Sequence, residues 1–348
     1  MVSVGVHQLL NTLYVMTEGA YAHVDHDSVL VEAGGETKLR APKHQLGAIV
    51  CFGNVAVSSG LVQQCSMDGR ALVFMDRSGR FRARMVGPTT GNVLLRQAQH
   101  YALDDKSRTL AIALSVAAGK IKNSRTVLLR GAREIGDQGA EASLRGAVNN
   151  CDHALRWLPK ANSLDEVRGH EGVVASNYFQ VFQHLIKEDT QVFRFNGRNR
   201  RPPRDPVNAL LSFLYTLLTT DCVAALEGVG LDPQIGFLHA IRPGRPALAL
   251  DLLEELRAPV ADRLALTLIN RKQIGASDFE SGSGGAVALN DTGRRKVLVA
   301  YQKRKAEEIR HILLDRMVPV GLVPHVQARL LARHLRADLD HYVPYTVR

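Results

Sequence analysis

Cysteine is scarce in this chain and follows no pairing pattern. Cys51, Cys65, Cys151 and Cys222 are scattered with no Cys-x-x-Cys pair, which excludes a zinc knuckle and a disulfide framework and leaves reduced core thiols of a cytosolic protein. An N-terminal basic stretch leading into an unbroken apolar run is missing, so no signal peptide is read. Long uninterrupted apolar segments are missing as well. The most apolar one, Ala209 to Leu226, is broken by Ser212, several threonines and Asp221, and reads as a buried helix with no membrane partner. Nor is there a glycine-rich phosphate cradle, since Ser281-Gly282-Ser283-Gly284-Gly285 lacks both the strand–loop–helix setting and a Lys-Ser/Thr ending. Internal repeats and low-complexity tracts are absent too.

What the chain does have is positive charge. It carries a net +10 and a pI near 9.6 on 348 residues that are otherwise 45% hydrophobic and 22% charged. That balance suits a polyanionic partner, and by charge alone RNA, DNA and a membrane surface would all qualify. The pattern predicts an α+β multidomain protein. A small N-terminal β-rich domain, residues 1–90, contains short strands such as Thr12–Met16, Ser28–Glu32, Gly47–Cys51 and Ala71–Met75, with one helix, Ser59–Met67. After the composition break at Gly87-Pro88-Thr89-Thr90-Gly91, a larger all-α domain, residues 91–348, follows. Its helical stretches run over Gly139–Leu158, Gly172–Ile186, Pro206–Leu226, Ala247–Asn270 and Asp291–Met317.

Three separated stretches in this second part each offer a hard-metal ligand. Glu171 lies in Arg168-Gly169-His170-Glu171-Gly172, His239 ends Gly236-Phe237-Leu238-His239, and Asp251 and Glu254 lie three apart on one helix face. Carboxylates with an imidazole suit Mg²⁺ or Mn²⁺. Each residue also has an ordinary reading. Glu171 at a helix start would be favoured by the helix dipole, and His239 could be a hydrogen-bonded histidine at a helix end. Glu255 is expected to be turned away and solvated. Arg242 and Arg245 occupy the turn between His239 and Asp251, where they could hold a phosphate. The segment with Arg194, Arg198, Arg200, Arg201 and Arg204 could track a nucleic-acid backbone, with Phe193 and Phe195 available for stacking, or could be a solvated loop. Arg294-Arg295-Lys296 could contact DNA or face solvent.

Taken in order, these blocks resemble a known family. Gly169-His170-Glu171-Gly172-Val173-Val174-Ala175-Ser176-Asn177-Tyr178-Phe179 is similar to the Glu-Gly-x-x-Ala-x-x-Tyr-Phe motif of the CRISPR adaptation integrases, the Cas1 family. Asp205 to Phe213, Gly236 to His239, Gly244 to Glu255 and Leu289 to Arg295 agree with it, and the details look like the subtype I-C branch. Three positions depart: Leu214 in place of a usual glycine, Ala247 in place of a common serine, and Pro259 displaced by one.

The resemblance implies a β domain that mediates a homodimer and an α-helical catalytic domain that binds metal and DNA. It makes Glu171, His239 and Glu254 the ligands of Mg²⁺ or Mn²⁺, with Asp251 as a fourth catalytic neighbour. It implies an endonuclease and integrase that inserts new spacers into a CRISPR array. A DNA 3′-hydroxyl would be joined to the repeat by transesterification. Expected partners are double-stranded DNA (protospacer and CRISPR repeat), contacted by Arg198, Arg200, Arg201, Arg242, Arg245, Arg294 and Arg295, and a small adaptation protein, Cas2. The alternatives are a structure-specific nuclease acting on branched DNA and a non-catalytic DNA-binding scaffold.

Overall fold

The computed structural model describes residues 11–77, 79–87, 93–188, 191–199 and 202–347. The chain divides into two compact units, Met1–Thr90 and Gly91–Arg348. Arg200 and Arg201 lie outside the described residues.

The first unit holds two four-stranded sheets. One contains β1 (Asn11–Val15), β5 (Leu46–Phe52) and β7 (Ala71–Met75) in parallel, with β8 (Phe81–Arg84) antiparallel at the edge. The other orders β4 (Glu36–Pro42), β3 (Ser28–Ala33), β2 (Tyr21–Asp25) and the short β6 (Ala56–Val57). Asp25-His26-Asp27-Ser28 turns β2 into β3 through a two-residue loop with His26 at a positive φ of 51°. Such a turn suits the right-handed twist of paired strands. Helix α1 (Ser59–Met67) begins where the Ser58 hydroxyl accepts the Leu61 N–H, and its Leu61 and Cys65 enter the core beside Val15, Val29, Ile49 and Leu72.

The second unit is largely helical. Helix α2 (Val93–Asp104) leads into the long α3 (Lys106–Glu134), which packs on α4 (Gln138–Trp157), α5 (Leu164–Val181) and α7 (Ala247–Leu256). Helix α6 (Pro206–Val229) is long and apolar enough by composition to cross a membrane, yet here it is a core helix packed on α7 and α10 (Val323–Leu335). Asp205 caps its start with Pro206 in the first turn, and Gly230 ends it at a φ of 90°.

Two expected boundaries move. Helix α5 starts at Leu164, well before Gly172, because the Ser163 hydroxyl accepts from Glu166 N–H while the Glu166 carboxylate accepts from Asn162 N–H. This is a reciprocal cap that the glycines at 169 and 172 do not interrupt. The helix expected over Asp291–Met317 stops at Ala306 as α9, and β11 (Glu308–His311) pairs with β12 (Arg316–Pro319). A second small hairpin joins β9 (Phe279–Ser281) and β10 (Val287–Leu289). The expected run Ala247–Asn270 is continuous but changes winding. Between α7 and α8 (Arg263–Asn270), Arg257–Asp262 forms a π-helical turn. Pro259 lies inside it, and a proline that cannot donate to the ladder is accommodated by such local rewinding.

Candidate metal centre

The site is built where α3, α5 and α7 meet, with the segment before α7 folded over it. That segment is held close by Gly236. A Cβ there would lie 2.7–2.9 Å from the backbone and side chain of Ala247, so no larger residue fits without moving the loop. The Pro233 carbonyl meanwhile accepts the N–H groups of Leu248 and Ala249 at the helix start. Arg168 on α5 adds a strap, its Nε donating to the Leu238 carbonyl at 2.8 Å.

This folding delivers three consecutive N–H groups to one carboxylate. Asp251 Oδ2 accepts from Phe237 N at 2.6 Å and Leu238 N at 3.0 Å, while Oδ1 accepts from His239 N at 2.9 Å. His239 Nδ1 then donates to the same Oδ1 at 2.7 Å. Asp251 is 1% exposed and its acceptor capacity is consumed. The expectation that it is itself a catalytic acid or ligand is therefore corrected: Asp251 positions His239. With Nδ1 protonated and bound, Nε2 keeps its lone pair and faces Glu254 Oε1 at 3.7 Å. A carboxylate behind the imidazole is the usual support of a metal-binding histidine.

Glu254 and Glu171 meet across Lys120 of α3. The Lys120 ammonium donates to Glu171 Oε1 and lies 2.7 Å from Glu254 Oε2, at an angle that leaves that oxygen without a hydrogen bond. Arg257 Nη2 holds the other oxygen, Oε1, at 2.6 Å. Burial pushes the Glu254 carboxyl up, but the Arg257 and Lys120 charges outweigh it and hold the group well below the usual carboxylate range. Glu171 thus lies inside α5, two turns past its start, so stabilisation of the helix dipole does not account for it.

The structure brings Glu171, His239 and Glu254 together, in agreement with a hard-donor set for Mg²⁺ or Mn²⁺. Among the described residues no three His, Cys, Asp or Glu side chains are gathered tightly enough to hold an ion as they stand. The Lys120 ammonium fills the space between the two carboxylates. The donor chemistry fits a divalent ion. A cation already lies between the carboxylates, one buried oxygen lacks a hydrogen bond, and the imidazole's free nitrogen faces them.

The π turn supplies a further group. Five residues apart, Arg257 and Asp262 would diverge by about 140° on an α-helix; the wider winding turns both towards Tyr215. The Arg257 guanidinium lies 4.9 Å from the Tyr215 ring centroid, and the Tyr215 hydroxyl donates to Asp262 Oδ1 at 2.6 Å. The Tyr178 hydroxyl donates to Asp262 Oδ2 at 3.0 Å. Burial lifts the Asp262 carboxyl to about 6 against the pull of Tyr215, Arg257 and Tyr178.

Several expected DNA contacts are corrected. Arg198 spends its guanidinium on the Asn199 and Asn208 carbonyl oxygens and on Ser212 Oγ, and lies 5.2 Å from the Tyr215 ring centroid. Arg294 is 4% exposed and donates to the Leu289 carbonyl and the Asp291 carboxylate. Donors satisfied inside the chain are not offered to a phosphate. Phe193 and Phe195 are buried against Phe279, Phe179 and Phe182, so they stack on protein rings. Arg242 and Arg295 are exposed and Arg245 is half-buried. Glu255 is fully buried, where solvation was expected. It accepts from the Tyr342 hydroxyl at 2.5 Å, Tyr345 N at 2.7 Å and Gln327 Nε2 at 3.0 Å.

Lys120, Arg257 and Asp262 were not singled out from sequence. Arg257 had a signal, standing three residues after Glu254 on the same helix; Lys120 stood among Ala117, Ile121 and Ser124 on a buried face.

A two-sheet unit paired with a helical unit that gathers two carboxylates and an imidazole defines a class shared with solved DNA-processing proteins. A casposase bound to integration product matches with a TM-score of 0.81 at 23% identity, over 95% of this chain and 92% of that one. A Cas1 protein from Thermotoga maritima matches at 0.80 and 22%, over 94% and 97%. At these identities the likeness is one of fold. The family model for CRISPR associated protein Cas1 matches residues 13–303, and the chain belongs to that family. It is 52% identical to CRISPR-associated endonuclease Cas1 1 of Moorella thermoacetica over 99% of this chain and 100% of the relative. With CRISPR-associated endonuclease Cas1 2 of Rhodospirillum rubrum it is 51% identical, over 97% and 98%.

Proposed function

We propose that the protein is a metal-dependent DNA endonuclease and integrase of CRISPR adaptation. The observation that carries this reading is the convergence of Glu171 and Glu254 on one cation position, with His239 Nε2 3.7 Å from Glu254. Curated relatives named as CRISPR-associated endonucleases support it, as does the structural likeness to a casposase bound to integration product.

Glu171, Glu254 and His239 would hold Mg²⁺ or Mn²⁺, which when bound supplies charge stabilisation to the scissile phosphate. Asp251 keeps the His239 tautomer fixed and its Nε2 aimed at the centre. Arg257 holds Glu254 ionised and oriented. No side-chain nucleophile is needed. The 3′-oxygen of the incoming DNA attacks phosphorus in the repeat strand, a new P–O bond forms, and the displaced 3′-oxygen leaves and takes a proton. Positioning and charge neutralisation supply most of the rate in such transfers. Arg242, Arg245 and Arg295 are the arginines available to DNA phosphates. The reading includes a homodimer formed through residues before Gly87, assembly with a small Cas2 partner, a cytoplasmic location and membership of the subtype I-C branch.

The test mixes purified protein, its small partner, a short duplex and a repeat-bearing plasmid with Mg²⁺ or Mn²⁺, and sequences the joined ends. Junctions at the repeat that vanish with Glu171→Gln and with His239→Ala are expected. Cleavage without joining would favour the branched-DNA nuclease. Inactivity with every divalent ion would leave a DNA-binding scaffold.

A further inference from the structure

Lys120 is an unusual residue to find at the meeting point of two candidate ligands. Lysine is rarely this buried, and here it is 7% exposed on a face of α3 that otherwise carries Ala117, Ile121 and Ser124. Its ammonium touches both Glu171 and Glu254, and its methylene stem crosses the core to reach them. We propose that Lys120 is a built-in placeholder cation: it occupies the divalent-metal position, keeps the two glutamates converged in the metal-free protein, and must move aside when the ion enters. This rests on the metal reading given above and adds to it what sets the site's affinity.

Charge accounts for the competition. Three carboxylates, Glu171, Asp251 and Glu254, face two fixed cations, Lys120 and Arg257. A divalent ion entering beside an ammonium meets repulsion in a poorly screened, mostly buried setting. The same ammonium relieves the repulsion between the glutamates while no metal is present. A cleft lined by Lys120, Ser124, Tyr178, Glu254, Arg257 and Asp262 adjoins the ammonium, giving the side chain room to turn. Arg257 is held differently. Its hydrogen bond to Glu254 and its packing on Tyr215 tie it to the π turn, so of the two cations Lys120 is the one free to exchange.

The test uses the full-length protein and two readouts. Mn²⁺ affinity is measured by calorimetry or electron paramagnetic resonance for the unaltered chain, Lys120→Met and Glu171→Gln. Acetylation of Lys120 by an amine-directed reagent is followed by mass spectrometry in the unaltered chain, with and without saturating Mg²⁺. Lys120→Met should bind Mn²⁺ at least about tenfold tighter, and melt at a lower temperature without metal but regain stability with it. Lys120 in the unaltered chain should become more reactive when Mg²⁺ is added. Equal or weaker Mn²⁺ affinity in folded Lys120→Met, or Lys120 reactivity indifferent to Mg²⁺, overturns the inference. If Lys120→Met does not fold without metal, the labelling of the unaltered chain decides alone. Failure to find any Mn²⁺ binding that Glu171→Gln removes would overturn the metal reading itself, and this inference with it.

Discussion

Replacing Glu255 by glutamine should make the protein more stable at alkaline pH while leaving it nearly unchanged at mildly acidic pH. Glu255 is fully buried beside Tyr342, Tyr345 and Gln327, and burial lifts its carboxyl from the ordinary 4.5 to about 8 despite three hydrogen bonds that favour the charged form. Between those values the folded chain keeps a proton that the unfolded chain has released. Folding stability contributed by this group is therefore complete below about pH 4.5, falls as pH rises, and levels off above pH 8. A gap of about 3.5 pH units at 1.36 kcal/mol each sets an upper size of about 5 kcal/mol. Glutamine is neutral throughout. Its carbonyl can accept from Tyr345 N and Gln327, with its amide turned to the Tyr342 oxygen. The measurement is urea unfolding at several pH values between 5 and 9 at fixed ionic strength. The chain's single tryptophan, Trp157 on α4, reports on the helical unit. The stability difference between variant and parent should grow from near zero at pH 5 to about 3–5 kcal/mol at pH 8.5. A difference that does not vary with pH, or a variant weaker than its parent at pH 8.5, would refute the reasoning.

Gly236→Ala should displace the His239 segment, because its methyl meets the Ala247 backbone. A loss of about 1–3 kcal/mol in stability together with reduced strand joining is expected, and full joining would contradict it. Arg198→Ala and Arg294→Ala should each lower stability by about 1–3 kcal/mol and leave the salt dependence of DNA affinity unchanged. The triple change Arg242→Ala, Arg245→Ala and Arg295→Ala should instead flatten the plot of log affinity against log salt by about 0.9 per lost phosphate contact; the reverse pattern would undo the assignment of donors. Deleting residues 1–90 should convert a dimer into monomers in sedimentation at micromolar concentration, and a retained dimer would place the interface elsewhere.

Strands such as β7, with its run Ala71–Met75, and the capped helix α1 were legible because apolar runs and turn residues bound them on both sides. Glu171, His239 and Glu254 were legible through ordered blocks and side-chain chemistry. What stayed hidden depended on who answers each charge. Nothing in the segment around Arg198 says that Asn208 and Ser212 will take its donors, since they lie on a helix that begins only after the loop ends. Glu255 looked solvated because one helix face was assigned to the core. In fact α7 is buried from Ala247 to Leu256 apart from the half-buried Leu250, and the chain's C-terminal residues cover its far side. Lys120 escaped notice because a single lysine in an apolar stripe gives no hint of two partners that lie 51 and 134 residues further on.

The π turn at Arg257–Asp262 also restricts how this stretch of chain can change in length. A segment wound with one surplus residue acts as a splice in the α7–α8 rod: everything before it is phased to Glu171 and Lys120, and everything after it to a different set of neighbours. Removing one residue within the splice would let the rod wind as a continuous α-helix. That would rotate α8 by about 100° relative to the ligands and swing Asp262 away from both tyrosines, with every metal-site residue still in the sequence. Tolerance to insertion and deletion along this rod should therefore be lowest at a place that contributes no ligand at all.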